Sequence, residues 1–288
     1  MMKRDVDVQQ DVQQAVLQVV RAQYRAALKN DVTEAALEDA VSACRRKMEK
    51  EKQEGRLLTG GMFRWHELLF LYMEYVTEES VSKGENEGAD SAAGREGQPD
   101  WAGIPEQWFP EMVPLLHTWP ELFGEAHWAY MYPVFWFDTP KDLETWKRNK
   151  APDKRCGRIA VLYPEKLFSY VCHHQAIVEE GLLVGDRYQM ISLHENLLFS
   201  YCETPRDREQ VNIRREEGEA REIQKWEAVD PEAHFRHFPE AGGENFLGIE
   251  TMIYVGEICI CGGAFLQIYR PKNVGLVQGV FAAGGVLG

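Results

Sequence analysis

Hydrophobic and polar positions alternate most regularly over Tyr188-Gln-Met-Ile-Ser-Leu-His-Glu-Asn-Leu-Leu-Phe-Ser-Tyr-Cys-Glu203. Alternation with period two, filled by Val, Ile, Leu and aromatic residues, predicts two half-buried strands. The polar triplet His194-Glu195-Asn196 joins them as a tight turn. A fainter copy sits upstream at Trp65-His66-Glu67-Leu68-Leu69-Phe70-Leu71-Tyr72-Met73-Glu74. Both copies carry His-Glu, then Leu-Leu-Phe, one residue, Tyr, one residue, Glu; the later copy reads as having Asn196 added. A second match follows in the same order. Trp119-Pro-Glu-Leu-Phe-Gly-Glu125 precedes the strand-like run 128–137, and Phe238-Pro-Glu-Ala-Gly-Gly-Glu244 precedes 246–255. The offset is too long for a solenoid and suits a duplicated domain.

The elements between these landmarks follow one plan. Residues 6–27 are ambiguous: 13–20 has helical content and 23–28 reads as a strand. Asn30 to Thr33 offers caps for a helix ending at Gly55, with Ala36, Leu37, Val41, Cys44 and Met48 on one stripe. Strand, turn and strand follow over 57–76. The stretch 77–103 has the composition of a mobile loop. A proline-interrupted helix runs from Pro105 to about Leu116, then a last strand, then a linker over 140–152. The second half repeats this: a strand at 158–163, a helix opening at Pro164 and ending at Gly181, the hairpin, a charged insertion at 206–221, a helix over 226–238, and a strand over 246–258. Each half is βαββαβ, the ferredoxin-like plan. The expected fold is α+β: a tandem duplication (1–150 and 151–258) forming an intramolecular α+β barrel, with an apolar, Gly-rich tail at 259–288.

Composition narrows the partners. The formal charge is −14, which argues against nucleic acid or an anionic membrane surface. No apolar run approaches the roughly eighteen residues of a membrane span. The polar N-terminus has no signal-peptide core. Six scattered cysteines do not form a disulfide framework. A reduced, cytoplasmic protein is expected.

Candidate chemistry gathers on the helix after Pro164. At about 100° per residue, Leu167, Phe168, Val171 and Val178 share an apolar face. His174 falls close to it, with Tyr170 one turn earlier on its edge. A tyrosine and a histidine buried between helix and sheet supply two proton carriers. The same spacing also describes a core histidine bonded to tyrosine or backbone. His234-x-x-His237 has helical metal-ligand spacing but no fixed acidic partner, and Cys259-x-Cys261 is a short pattern of low specificity.

The strand, Pro164, the helix with Tyr170-Val-Cys-His-His174, Gly181, Gly185 and the hairpin through Leu197-Leu-Phe199 and Glu203 resemble the L-rhamnose mutarotase family. Trp226-Glu-Ala-Val229 and Ile249-Glu-Thr-Met-Ile-Tyr254 extend the resemblance over about residues 155–256. It implies an isomerase of carbohydrate metabolism that interconverts the anomers of a monosaccharide, with Tyr170 and His174 as the acid–base pair. Tyr188, Trp226, His237 and Phe238 would line the sugar, and neither metal nor any cofactor is implied. Where the family carries a tryptophan pair, this chain has His234-Phe-Arg-His-Phe238. The first half has no Tyr–His pair on its helix and reads as structural, standing in for the second subunit of a family dimer. Homodimerisation of the whole chain stays open. Two other readings fit the same barrel: a different cofactor-free small-molecule enzyme, such as a monooxygenase, and a non-catalytic ligand- or partner-binding protein.

Overall fold

The computed structural model describes residues 16–79, 103–121, 124–148, 150–204 and 210–256. Most of the 77–103 loop, the segment 6–15 and the tail with Cys259 and Cys261 lie outside them. Eight strands close an antiparallel barrel: β1 (Val16–Ala27), β2 (Leu57–Trp65), β3 (Leu68–Glu79), β4 (Ala129–Trp136), β5 (Lys154–Leu162), β6 (Met190–His194), β7 (Leu197–Thr204) and β8 (Leu247–Val255). The hydrogen-bonded order is β7-β6-β4-β1-β3-β2-β8-β5, and β5 pairs with β7 to complete the ring. Helices α1 (Glu34–Gln53), α2 (Ile104–Trp108), α3 (Leu143–Trp146), α4 (Leu167–Glu180) and α5 (Glu222–Glu227) accompany it.

Strand order within each half is the same: β4-β1-β3-β2 and β8-β5-β7-β6. The registers also match. Tyr24 lies opposite Leu71 and Tyr130, and Arg158 lies opposite Ser200 and Gly248. The halves join along two seams, β2–β8 and β4–β6, each with one register shift, at Thr251/Ile253 and Pro133/Phe135. A bulge at each seam adds local twist, which helps a sheet close.

From Val16 on, the ambiguous N-terminal stretch is one long strand, because β1 pairs along its whole length from Val16↔Glu79 to Ala27↔Leu68. Alternation then places Ala22, Tyr24 and Ala26 against α1 and turns Arg21, Gln23 and Arg25 the other way. Thr33 caps α1 by accepting from the Ala36 amide at 3.2 Å, and the chain leaves at Gly55 with φ 76°. The two hairpins have equal length. Trp65 faces Leu68 and His194 faces Leu197, so the turns are His66-Glu67 and Glu195-Asn196. Their first residues share a left-handed φ, 51° at His66 and 56° at Glu195. Asn196 is therefore not an addition: the His-Glu match is one residue out of register.

Three cores result. One lies between α1, α2 and the first half's outer face, and another between α4 and the second half's outer face. The third fills the barrel with Phe63, Phe70, Tyr72, Met131, Ile159, Met190, Leu197, Phe199 and Tyr201. Equivalent residues of the two halves meet there. Phe70 stacks on Phe199 at 5.0 Å between centroids, and Tyr72 on Tyr201 at 3.7 Å and 6°. Gly157 makes room for this packing, since a Cβ there would sit 2.5 Å from the Phe63 ring.

The expected helix over 226–238 is not formed. α5 stops at Glu227, Asp230 takes a left-handed φ of 53°, and Pro231 opens a 3-10 turn ending at His234. Phe235 and Arg236 then pair with Leu162 and Val161 on the edge of β5. Proline cannot supply the amide that continuing the helix would need. None of the described helices is long and apolar enough to cross a membrane.

Candidate functional site

Two concentrations of polar chemistry stand out, one outside the barrel under α4 and one inside at the barrel's end. A 3-10 turn at Pro164–Lys166 leads into α4, and Gly181 ends it with φ 69°. The buried face of α4 is Tyr170, His174, Ile177 and Val178. Phe168, expected on that face, is instead 79% exposed, while Leu167 and Val171 are half-buried.

Tyr170 and His174 come together as their spacing implied. Their rings stack at 3.8 Å and 21°. His174 Nδ1 lies 2.8 Å from the Tyr170 carbonyl oxygen, so Nδ1–H donates to it. That bond assigns the tautomer and leaves the lone pair on Nε2. Burial pulls the His174 pKa down to about 4, although the bond to Tyr170 opposes this. The imidazole is therefore neutral at neutral pH, with its lone pair on Nε2. Burial also pushes the Tyr170 phenol up from its ordinary range, against the nearby Arg158 charge. It stays a hydroxyl donor.

Aromatic rings enclose the pair. Trp226 from α5 packs edge-on to Tyr170 at 5.6 Å and to His174 at 4.8 Å. Phe235 lies 5.8 Å from Tyr170, and Phe135 of β4 lies 5.4 Å from His174. His234, 1% exposed, braces this wall: Nδ1–H donates to the Asp230 carbonyl at 3.1 Å, and Nε2 accepts from Ser169 Oγ at 2.9 Å.

The other four sequence-derived residues divide. Trp226 belongs to this cluster. Tyr188 instead packs with Trp146, Val19 and Leu58. Phe238 sits against Trp65 at 5.1 Å beside the barrel interior. His237 is on the surface, 3.6 Å from Glu232. His234-x-x-His237 loses its helical spacing with the missing helix, and among the described residues no group of three His, Cys, Asp or Glu is disposed to hold a metal.

The second concentration went unread in the sequence. Arg148, in the stretch taken as a linker, enters the barrel end and bridges the halves. Its guanidinium reaches Glu74 at 2.5 and 2.9 Å and Glu203 at 2.8, 3.1 and 3.2 Å. Tyr72 donates to Glu74 at 2.5 Å and Tyr201 to Glu203 at 2.7 Å. Arg21 donates to Tyr72 at 3.1 Å and to the Tyr188 carbonyl at 2.6 Å. The Tyr188 ring lies 3.8 Å from the Arg148 guanidinium. Burial alone would raise the Glu74 pKa, but the Arg148 charge and hydrogen bonds outweigh it and hold the carboxyl below its usual range. Both carboxylates in this group are engaged, which suits a clamp better than a proton carrier. The signal was present: Tyr-x-Glu recurs in both hairpins, where it reads only as a mark of the repeat.

No family model matches the sequence, and no curated protein matches it. Among solved structures, a proposed monooxygenase of Fusobacterium nucleatum subsp. nucleatum is similar over 89% of this chain and 100% of its own, at 9% identity and a TM-score of 0.36. A proposed monooxygenase of Lactobacillus acidophilus is similar over 88% and 100%, at 8% identity and a TM-score of 0.39. A likeness this distant says nothing of substrate or activity.

Proposed function

We propose that the chain is a cofactor-free small-molecule enzyme of α+β-barrel type, working by proton transfer at Tyr170 and His174 on an aromatic substrate. One observation carries this reading: a neutral imidazole base and a phenol are enclosed by Trp226, Phe235 and Phe135. A sugar would need several hydrogen-bonding side chains around its hydroxyls, whereas an aromatic molecule needs ring faces and edges. His174 Nε2 takes a proton from an acidic C–H, and the Tyr170 hydroxyl donates to the oxygen on which negative charge grows. In the monooxygenase form of the reaction, dioxygen adds to the carbanion. Loss of the second C–H proton with cleavage of the O–O bond leaves a ketone and water. One methylene group and one dioxygen thus give one carbonyl group and one water.

The mutarotase-like reading is kept as second, on the stacked Tyr-x-x-x-His pair that motivated it. Matching strand order and registers in the two halves support the reading of the chain as a duplicated unit whose first copy completes the barrel.

Oxygen uptake with anthrone as the probe, run beside anomer exchange of L-rhamnose by saturation-transfer NMR, separates the two. The proposal expects protein-dependent oxygen uptake that His174→Ala abolishes and no acceleration of anomer exchange. Anomer exchange lost in His174→Ala, with no oxygen uptake, would replace the first reading by the second.

A further inference from the structure

Cys156 and Cys202 are both reduced and lie directly opposite each other in the antiparallel β5–β7 pair. Opposed residues in such a pair have Cα atoms about 4.5 or 5.5 Å apart, depending on the hydrogen-bonding position. Both values fall in the range of about 4.4–6.8 Å that a disulfide spans. The neighbouring Cys202 side chain, together with burial, pushes the Cys156 thiol up. Because Tyr201 faces the barrel interior, alternation turns Cys202 to the outer face, where Cys156 is half-buried.

We infer that Cys156 and Cys202 form a reversible dithiol–disulfide site oxidised by a hydroperoxide. The site is separate from the Tyr170–His174 cluster and does not depend on the reading given to it. The Cys202 thiolate attacks one peroxide oxygen. The O–O bond breaks, hydroxide leaves and is protonated to water, and Cys202 becomes a sulfenic acid. Cys156 sulfur then attacks Cys202 sulfur, the S–O bond breaks, and a second water leaves. Two thiols and one hydrogen peroxide thus give one disulfide and two waters.

The test is to treat the full chain with hydrogen peroxide, alkylate, digest without reductant and map the peptides, which also separates Cys259 and Cys261. Exposed Cys172 is the internal reference. The expected result is a linked peptide joining Cys156 to Cys202, reversed by a thiol reductant. Cys202→Ser, checked by its thermal transition to be folded, forms no link to Cys156. Conditions that oxidise Cys172 yet leave Cys156 and Cys202 as thiols would overturn the proposal.

Discussion

His174 and Asp186 titrate in opposite senses, and the difference is measurable. Burial lowers His174 from 6.5 to about 4, so the folded state holds it neutral where the unfolded state takes a proton. Its contribution is complete above pH 6.5 and is lost as pH falls toward 4, about 3 kcal/mol in all. Asp186 is raised by burial from 3.8 to about 6, so its cost is present above pH 6 and is relieved as pH falls toward 3.8, again about 3 kcal/mol. The two nearly cancel between about pH 4 and 6. Urea unfolding across this range should therefore show little slope from them in the wild type. Asp186→Asn should be more stable at pH 7 and lose stability steeply on acidification, and His174→Gln should gain stability as pH falls below 6. An Asp186→Asn profile parallel to the wild type would contradict the Asp186 assignment. Glu74 does not enter this window, because its depressed pKa defers its loss to below about pH 4.5.

At the scale of elements, the segment between the halves does more than connect them. Trp146 on α3 is buried, and Arg148 just after it holds Glu74 of β3 and Glu203 of β7 together. Arg148→Met leaves two buried carboxylates facing each other without a cation, a change expected to cost about 3–5 kcal/mol. Adding Glu74→Gln and Glu203→Gln should return much of that loss. Denaturant midpoints of the two variants check this, and an Arg148→Met protein as stable as the wild type would contradict the clamp. The sequence concealed Arg148 because a Lys- and Asp-rich stretch has the composition of a solvated connector, and burial of one arginine leaves no periodic trace. The missing helix after Glu227 has a similar cause. The apolar spacing from Trp226 to Phe238 is helical, but Asp230 and Pro231 break the backbone, and Phe235 reaches the core from a strand edge instead. The hairpins, by contrast, were legible, since strict alternation from Tyr188 to Glu203 leaves one pairing that buries the apolar face.

For the whole molecule, the eight strands expected from the two βαββαβ readings are present in one closed barrel, whereas the second helix of each reading is only a short one, Ile104–Trp108 and Glu222–Glu227. Closure into one barrel was expected from the tandem plan, but the strands that form its seams, β2–β8 and β4–β6, were not readable, since they join distant segments. The candidate site was legible only in part. Tyr170, His174 and Trp226 meet because helical spacing and one packed helix bring them together, whereas Tyr188, His237 and Phe238 lie on elements whose packing direction no local pattern gives. The proposed chemistry stands on His174 Nε2 acting as a buried, neutral base for a C–H proton. The most direct test is deuterium exchange at the acidic C–H of anthrone in heavy water, without oxygen, followed by NMR. Wild-type protein should accelerate exchange, His174→Ala should abolish the acceleration, and Tyr170→Phe should weaken it by roughly ten- to a thousand-fold. Acceleration that survives in His174→Ala would contradict the claim.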